Sequence, residues 1–230
     1  YAYASRCESH FELGQDALGL RDCNKAIDLD PKLAYAYRER AQIALDQGNV
    51  TAAFSDANQA VTLEPGWPGG LAIRCRVYVE LKRYGDALKD CNAAIGLNPA
   101  QESAYFQRGR AHLGLADWTA AQNDFTEVLK LDPGEIGAHY WLAVAELGSA
   151  AYAPALADIQ RYIRQNNDDG DGYFVRAQIE AKLGRSDEAR ASATTALRHY
   201  RIVNDEAGAA KAQALLDSLG ATDDGSAGQH

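Results

Sequence analysis

The chain contains no methionine, and only 6 prolines, 5 histidines, 4 cysteines and 3 tryptophans among its 230 residues. Without methionine it lacks the pliable thioether surface that adaptable binding proteins use. No run approaches the roughly 18 apolar residues of a membrane span, and no signal peptide is visible. The sequence has no phosphate-cradling glycine loop, no GxSxG elbow and no HExxH pair. No spacing brings a nucleophile, a base and an orienting group together, so we read the chain as non-catalytic and cofactor-free. It has no CxxC and no histidine placed to complete a set with cysteine, which sets zinc aside. Positive charge is also short: 23 Lys and Arg face 32 Asp and Glu, a net charge of −9. Nucleic-acid binding needs a basic face to neutralise phosphate, so the expected partner is not nucleic acid.

What the sequence does have is spacing. Pro31, Pro65, Pro99 and Pro133 lie 34 residues apart. Proline ends helices because it lacks an N–H and clashes with the preceding turn. A stop at that period leaves room for two short helices and two turns. Other columns keep step: Gly19, Ala53, Ala87, Ala121, Ala155 and Ala189 are small, and Ile27, Val61, Ile95, Leu129, Ile163 and Leu197 are large aliphatics. Small residues let two helices approach, and the aliphatics fill the space between them. Repeat four carries the fullest pattern, with Tyr105, Gly109, His112, Ala121, Phe125, Val128 and Pro133.

At these residues the chain resembles the tetratricopeptide-repeat family. The resemblance covers residues 1 to about 202 and implies an all-α, right-handed superhelical solenoid of antiparallel helix pairs. Its repeats are read as about 1–33, 34–67, 68–101, 102–135, 136–169 and 170–203. First helices are predicted at about 1–13, 34–47, 68–81, 102–115, 136–149 and 170–183. Second helices are predicted at about 17–29, 51–63, 85–97, 118–131, 153–166 and 187–201. A thirteenth helix at about 205–219, with Leu215, Leu216 and Leu219 on one face, should cap a single domain spanning 1–219. Residues 221–230 lack large apolar groups and are expected to be disordered. The chain starts within a helix, so we read it as a fragment or processed form of a soluble protein. Its compartment, cytoplasmic or periplasmic and exported, is left open. Pro68 and Pro154 fall in first turns, and Asp171 and Ser186 read as N-caps.

Charged columns recur as well. Arg6, Arg40, Arg74, Arg108 and Arg176 form one, broken at Leu142; Asp22, Asp56, Asp90, Asp124 and Asp158 form the other, broken at Ser192. Buried charges need partners. Pairing each aspartate with the arginine of the following repeat leaves fewer mismatches than pairing within a repeat, so an inter-repeat ladder is expected, fixing register. Cys7 and Cys23, like Cys75 and Cys91, are 16 apart and level across a helical hairpin. They are either packed buried thiols, the simpler reading, or hairpin disulfides Cys7–Cys23 and Cys75–Cys91 of an oxidising compartment. The histidines do not cluster, and packing is expected of them. Asn167, Asp169, Asp171 and Gly172 have the spacing of a calcium loop, but Gln178 replaces its closing glutamate.

In the family this chain resembles, first helices line a concave groove that takes an extended peptide or a partner helix. That resemblance places Tyr35, Arg38, Gln42, Ala72 and Arg76 in the groove, followed by Phe106, Gln107, Arg110, Tyr140, Val144, Phe174 and Gln178. Arg38, Arg76 and Arg110 suggest a basic patch within an acidic protein. A chaperone-tail clamp is not expected, because its best-matching positions hold Ile73 and Ser103. The expected function is a non-catalytic protein-interaction scaffold. A regulatory or targeting arm of a larger enzyme, or a self-assembling scaffold, are the alternatives.

Overall fold

The computed structural model describes residues 1–226, with side chains to Gly220. Thirteen α-helices form, and there is no strand among the described residues. They are α1(Ala2–Glu12), α2(Asp16–Leu29), α3(Ala34–Asp46), α4(Val50–Leu63), α5(Pro68–Glu80), α6(Tyr84–Leu97) and α7(Glu102–Gly114). Then follow α8(Trp118–Leu131), α9(Ile136–Gly148), α10(Tyr152–Gln165), α11(Gly170–Lys182), α12(Ser186–Ile202) and α13(Glu206–Ser226). The chain divides into two compact units: unit 1 is Tyr1–Asp117, and unit 2 begins at Trp118.

Backbone chemistry explains the boundaries. In each hairpin the first helix closes with one residue in the left-handed region: Gly14, Gly48, Lys82, Ala116, Ala150 or Gly184, with φ from 56 to 74°. The next N–H then returns to a carbonyl five residues back, as from Asn49 to Ala44 at 2.8 Å and from Arg83 to Tyr78 at 2.8 Å. This satisfies carbonyls that the helix end would otherwise leave unpaired. The second helices α2, α4, α6 and α8 stop two residues before Pro31, Pro65, Pro99 and Pro133. Repeat six has Arg201 in the proline column, and α12 runs on to Ile202.

Two expected caps move. Asp169, not Asp171, caps α11, accepting from the N–H groups of Asp171 and Gly172. Ser186 lies inside α12, and Arg185 is the cap residue. The last helix passes its expected end at Leu219 and continues to Ser226, because no proline or left-handed residue stops it at Gly220. The expected disorder of 227–230 lies outside the described residues.

Small residues build the core. In unit 1, Cys75, Ala87, Cys91, Ala94, Ala104 and Ala111 form a buried cluster with Leu71 and Val79. In unit 2, Ala143, Ala155, Ile159, Val175 and Ile179 do the same. Helix α13 lays Ala212 and Leu216 on Ala196, Leu197 and Tyr200 of α12.

Two glycines mark the closest approaches. A Cβ on Gly114 would lie 2.2 Å from the Tyr84 ring, and one on Gly148 would lie 2.6 Å from the Trp118 ring. Each aromatic opens a second helix, and each glycine closes the next first helix. Repeat two has Val50 in that aromatic column. Gly114→Ala is therefore expected to destabilise unit 1 by about 1–2 kcal/mol through overpacking. In a Tyr84→Val background the loss should vanish. Urea denaturation of the four proteins measures this, and an equal loss in both backgrounds would rule the ring out as the cause.

Candidate functional site

The charged columns pair within hairpins, not between repeats. Arg6 forks onto Asp22 at 2.5 and 2.9 Å, Arg40 onto Asp56 at 2.7 and 2.7 Å, and Arg74 onto Asp90 at 2.6 and 2.9 Å. The expected Asp56–Arg74 ladder is thus corrected. Antiparallel helices set residues 16 apart at one level, where a guanidinium meets a carboxylate with two parallel bonds. The hydrogen bond from Arg6 holds the Asp22 carboxyl below the ordinary carboxylate range. The link to the preceding repeat uses the third arginine nitrogen and an asparagine: Arg40 to Asn24 at 2.7 Å, Arg74 to Asn58 at 3.4 Å and Arg108 to Asn92 at 2.7 Å.

Both breaks in the columns are repaired by residues outside them. Where Leu142 replaces arginine, His139 Nδ1 lies 2.8 Å from Asp158 Oδ1, and Arg161 donates to the same oxygen at 3.1 Å. Where Ser192 replaces aspartate, Glu180, 2% exposed, takes Arg176 at 2.7 Å and the Ser192 hydroxyl at 2.6 Å. These helpers lie in columns the pairing argument did not include, so counting alone could not find them.

The first helices of unit 1 enclose a pocket of about 230 Å³ lined by Arg38, Gln42, Gly69, Ala72, Ile73, Arg76, Gln101, Ser103 and Gln107. Four of the sequence-assigned groove residues meet here: Arg38, Gln42, Arg76 and Gln107. Gly69 and Ala72 supply a floor without bulk. Tyr35 lies beside it, its ring 6.2 Å from Trp67, with the Arg38 guanidinium 5.2 Å from Tyr35 and 5.6 Å from Trp67. The Tyr35 hydroxyl donates to Glu8 at 2.5 Å; burial first, then this bond, pushes its pKa up to about 12.

The expected basic patch is neutralised. Arg38 pairs with Glu39 and lies 3.4 Å from Glu8; Arg76 holds Asp46 at 2.7 Å; Arg110 holds Glu80 at 2.8 Å. Each acid but Glu39 comes from the preceding first helix, 30 residues earlier. The inter-repeat ion-pair ladder thus exists, built from other residues than those expected. Gln107 is 8% exposed, and its Oε1 accepts from Arg110 at 3.2 Å. Phe106 is half-buried.

In unit 2, Tyr140 is half-buried, with its ring 5.0 Å from Trp141 and 5.1 Å from Tyr162. Burial and the charges of Asp171 and Asp169 push its hydroxyl pKa upward. Phe174 packs against the cluster that α13 covers, so the thirteenth helix claims much of a side chain that sequence reading placed in the groove. Gln178 and Val144 are half-buried. The residues with calcium-loop spacing are otherwise engaged: Asp169 takes the Tyr162 hydroxyl at 2.7 Å and Asp171 the Tyr200 hydroxyl at 2.5 Å. Among the described residues no cluster of three or more ligating side chains offers a metal site, and no helix is long and apolar enough to cross a membrane.

Helix pairs with one buried small-residue seam, repeated every 34 residues, define a helical-repeat protein. The tetratricopeptide-repeat family model matches residues 9–69 and 106–170, and the chain belongs to that family. No curated protein matches at a significant level. Similar solved structures include the APC/C hetero-tetramer Cut9-Hcn1, with a TM-score of 0.83 and 14% identity over 94% of this chain. The match spans 42% of that chain. Pseudomonas aeruginosa pilF has a TM-score of 0.72 at 17% identity, over 93% of this chain and 96% of its own. YrrB, a TPR protein with an unusual peptide-binding site, has a TM-score of 0.61 at 16% identity, over 83% of this chain and 97% of its own. At these identities the likeness is one of fold. The fold itself is that of a general scaffold for protein–protein interaction.

Proposed function

We propose that the chain is a non-catalytic scaffold that takes an extended segment of a partner protein along its first helices, with the unit 1 pocket as the anchor point. The observation that carries this reading is the pocket itself. It has an open floor of Gly69 and Ala72 and a rim of Gln42, Gln101, Ser103, Arg38 and Arg76. Amides, a hydroxyl and guanidinium groups can donate to backbone carbonyls, and the amides can accept from backbone N–H groups. Tyr35 and Trp67 beside it offer apolar faces to side chains. YrrB, a neighbour in fold, has a peptide-binding site.

The test is capture from native lysate, read by mass spectrometry, with the wild-type chain beside a Gln42→Ala/Ser103→Trp variant. Ser103 is exposed on the rim, so the indole fills the pocket without touching the ion pairs. A protein retained by the wild type and lost by the equally helical variant is the expected result. Identical capture by both would move the site off this pocket. A mass that rises with concentration in the absence of lysate would favour self-assembly.

A further inference from the structure

All four cysteines lie in unit 1, and all four are 0% exposed. Cys7 is bonded to Cys23 and Cys75 to Cys91, so each bond ties the first helix of a repeat to its second. Repeat two, between them, places Ala41 and Ala57 in the same two columns, also at 0% exposure. Packing there asks only for methyl-sized groups, and alanine suffices. In repeats one to three the columns change together, cysteine facing cysteine and alanine facing alanine. That is the signature of a bond rather than of two small buried residues. With no methionine in the chain, every sulfur atom it has sits in these two hairpins.

We propose that both hairpins are oxidised in the working protein by exchange with a disulfide-donating thiol oxidoreductase, and that the protein works in an oxidising compartment that holds such a donor. One cysteine of a hairpin, as thiolate, attacks the donor's disulfide, forming a mixed disulfide and releasing the donor's other sulfur as thiolate. The second cysteine, as thiolate, attacks the first one's Sγ, closing the hairpin bond and expelling the donor. The donor leaves as a dithiol, carrying the two electrons and two protons lost by the pair. Burial fixes the order of events. Ile43 of α3 packs on Cys7 and Cys23, and Ala104 and Ala111 of α7 join the cluster around Cys75 and Cys91. A protein donor reaches these sulfurs only before the following repeat docks. A separation of 16 lets each hairpin bring its own pair together without that repeat.

The test uses protein recovered from the cells that make it, quenched in acid and treated with N-ethylmaleimide in denaturant, so that burial hides no thiol. No adduct is expected before reduction and four after it, with peptide cross-links Cys7–Cys23 and Cys75–Cys91. Adducts before reduction overturn the proposal for the pair that carries them. Reductant should spare both bonds in native buffer and cleave them in denaturant; ready cleavage in native buffer overturns the proposed order. At least one of the single variants Cys7→Ala and Cys23→Ala should accumulate a reductant-sensitive mixed disulfide during folding, and its absence from both overturns the donor. The double variant, which copies Ala41 and Ala57, should remain helical and melt lower. An unchanged midpoint would contradict a bond in the wild type.

Discussion

Asp56→Ala is expected to lower the stability of unit 1 by about 3 kcal/mol, and a double-mutant cycle should assign the loss to Arg40 and not to Arg74. Asp56 is 7% exposed and takes two bonds from Arg40, Nε and Nη2, both at 2.7 Å. Removing the carboxylate leaves a guanidinium with one remaining partner, Asn24. The Arg40 side chain keeps 27% of its surface in water, which holds the loss toward the lower end of the range for a broken buried pair. Urea denaturation of wild type, both singles and the double should return a coupling of about 2 kcal/mol for Asp56 with Arg40. The Asp56 and Arg74 cycle should return a coupling near zero, because Arg74 spends its fork on Asp90. A larger coupling with Arg74 than with Arg40 would restore the inter-repeat ladder.

That ladder shows where sequence reasoning ran short. The 34-residue period made the helices legible, because proline, the small seam and the left-handed turn residue each act locally and recur. Pairing was less legible, because it depends on which side chains reach. Two mismatches counted against pairing within a repeat, and both are supplied from outside the columns, by His139 for Leu142 and by Glu180 for Ser192. The groove arginines failed for a related reason. Arg76 and Arg110 look like free positive charge until the acids 30 residues earlier, Asp46 and Glu80, are placed opposite them. In the later first helices that acid column holds Gly114 and Gly148, which make room for Tyr84 and Trp118. The arginine column then holds Val144 and Gln178. Acid with arginine, or glycine without it, is a correlation visible in the sequence once the spacing of 30 is known. The helix period alone does not suggest it. Phe174 escaped because its cover comes from α13, which lies outside the repeat pattern.

Glu146→Gln is expected to raise the stability of unit 2 at neutral and alkaline pH and to flatten its pH dependence. Glu146 is half-buried on α9, and its Oε2 has no hydrogen-bond partner. Burial, then the charge of Asp158, then a shared hydrogen bond with Asp158 push its carboxyl up to about 7, while Arg161 pulls the other way. A folded-state pKa above the unfolded value means that the protonated form suits the fold. The stabilisation is fully present below about pH 4.5 and is lost as pH rises through about 7. Water reaching the half-buried group screens part of this, leaving about 1–2 kcal/mol between the two limits. Glutamine stays neutral throughout and can still donate an N–H to Asp158, the carboxylate that His139 and Arg161 also hold. The variant should therefore match the wild type near pH 4 and exceed it by about 1–2 kcal/mol near pH 8, measured as urea midpoints across that range. Parallel profiles for the two proteins would place the titrating group elsewhere. A variant less stable at every pH would mean that the unpartnered oxygen is needed where it stands.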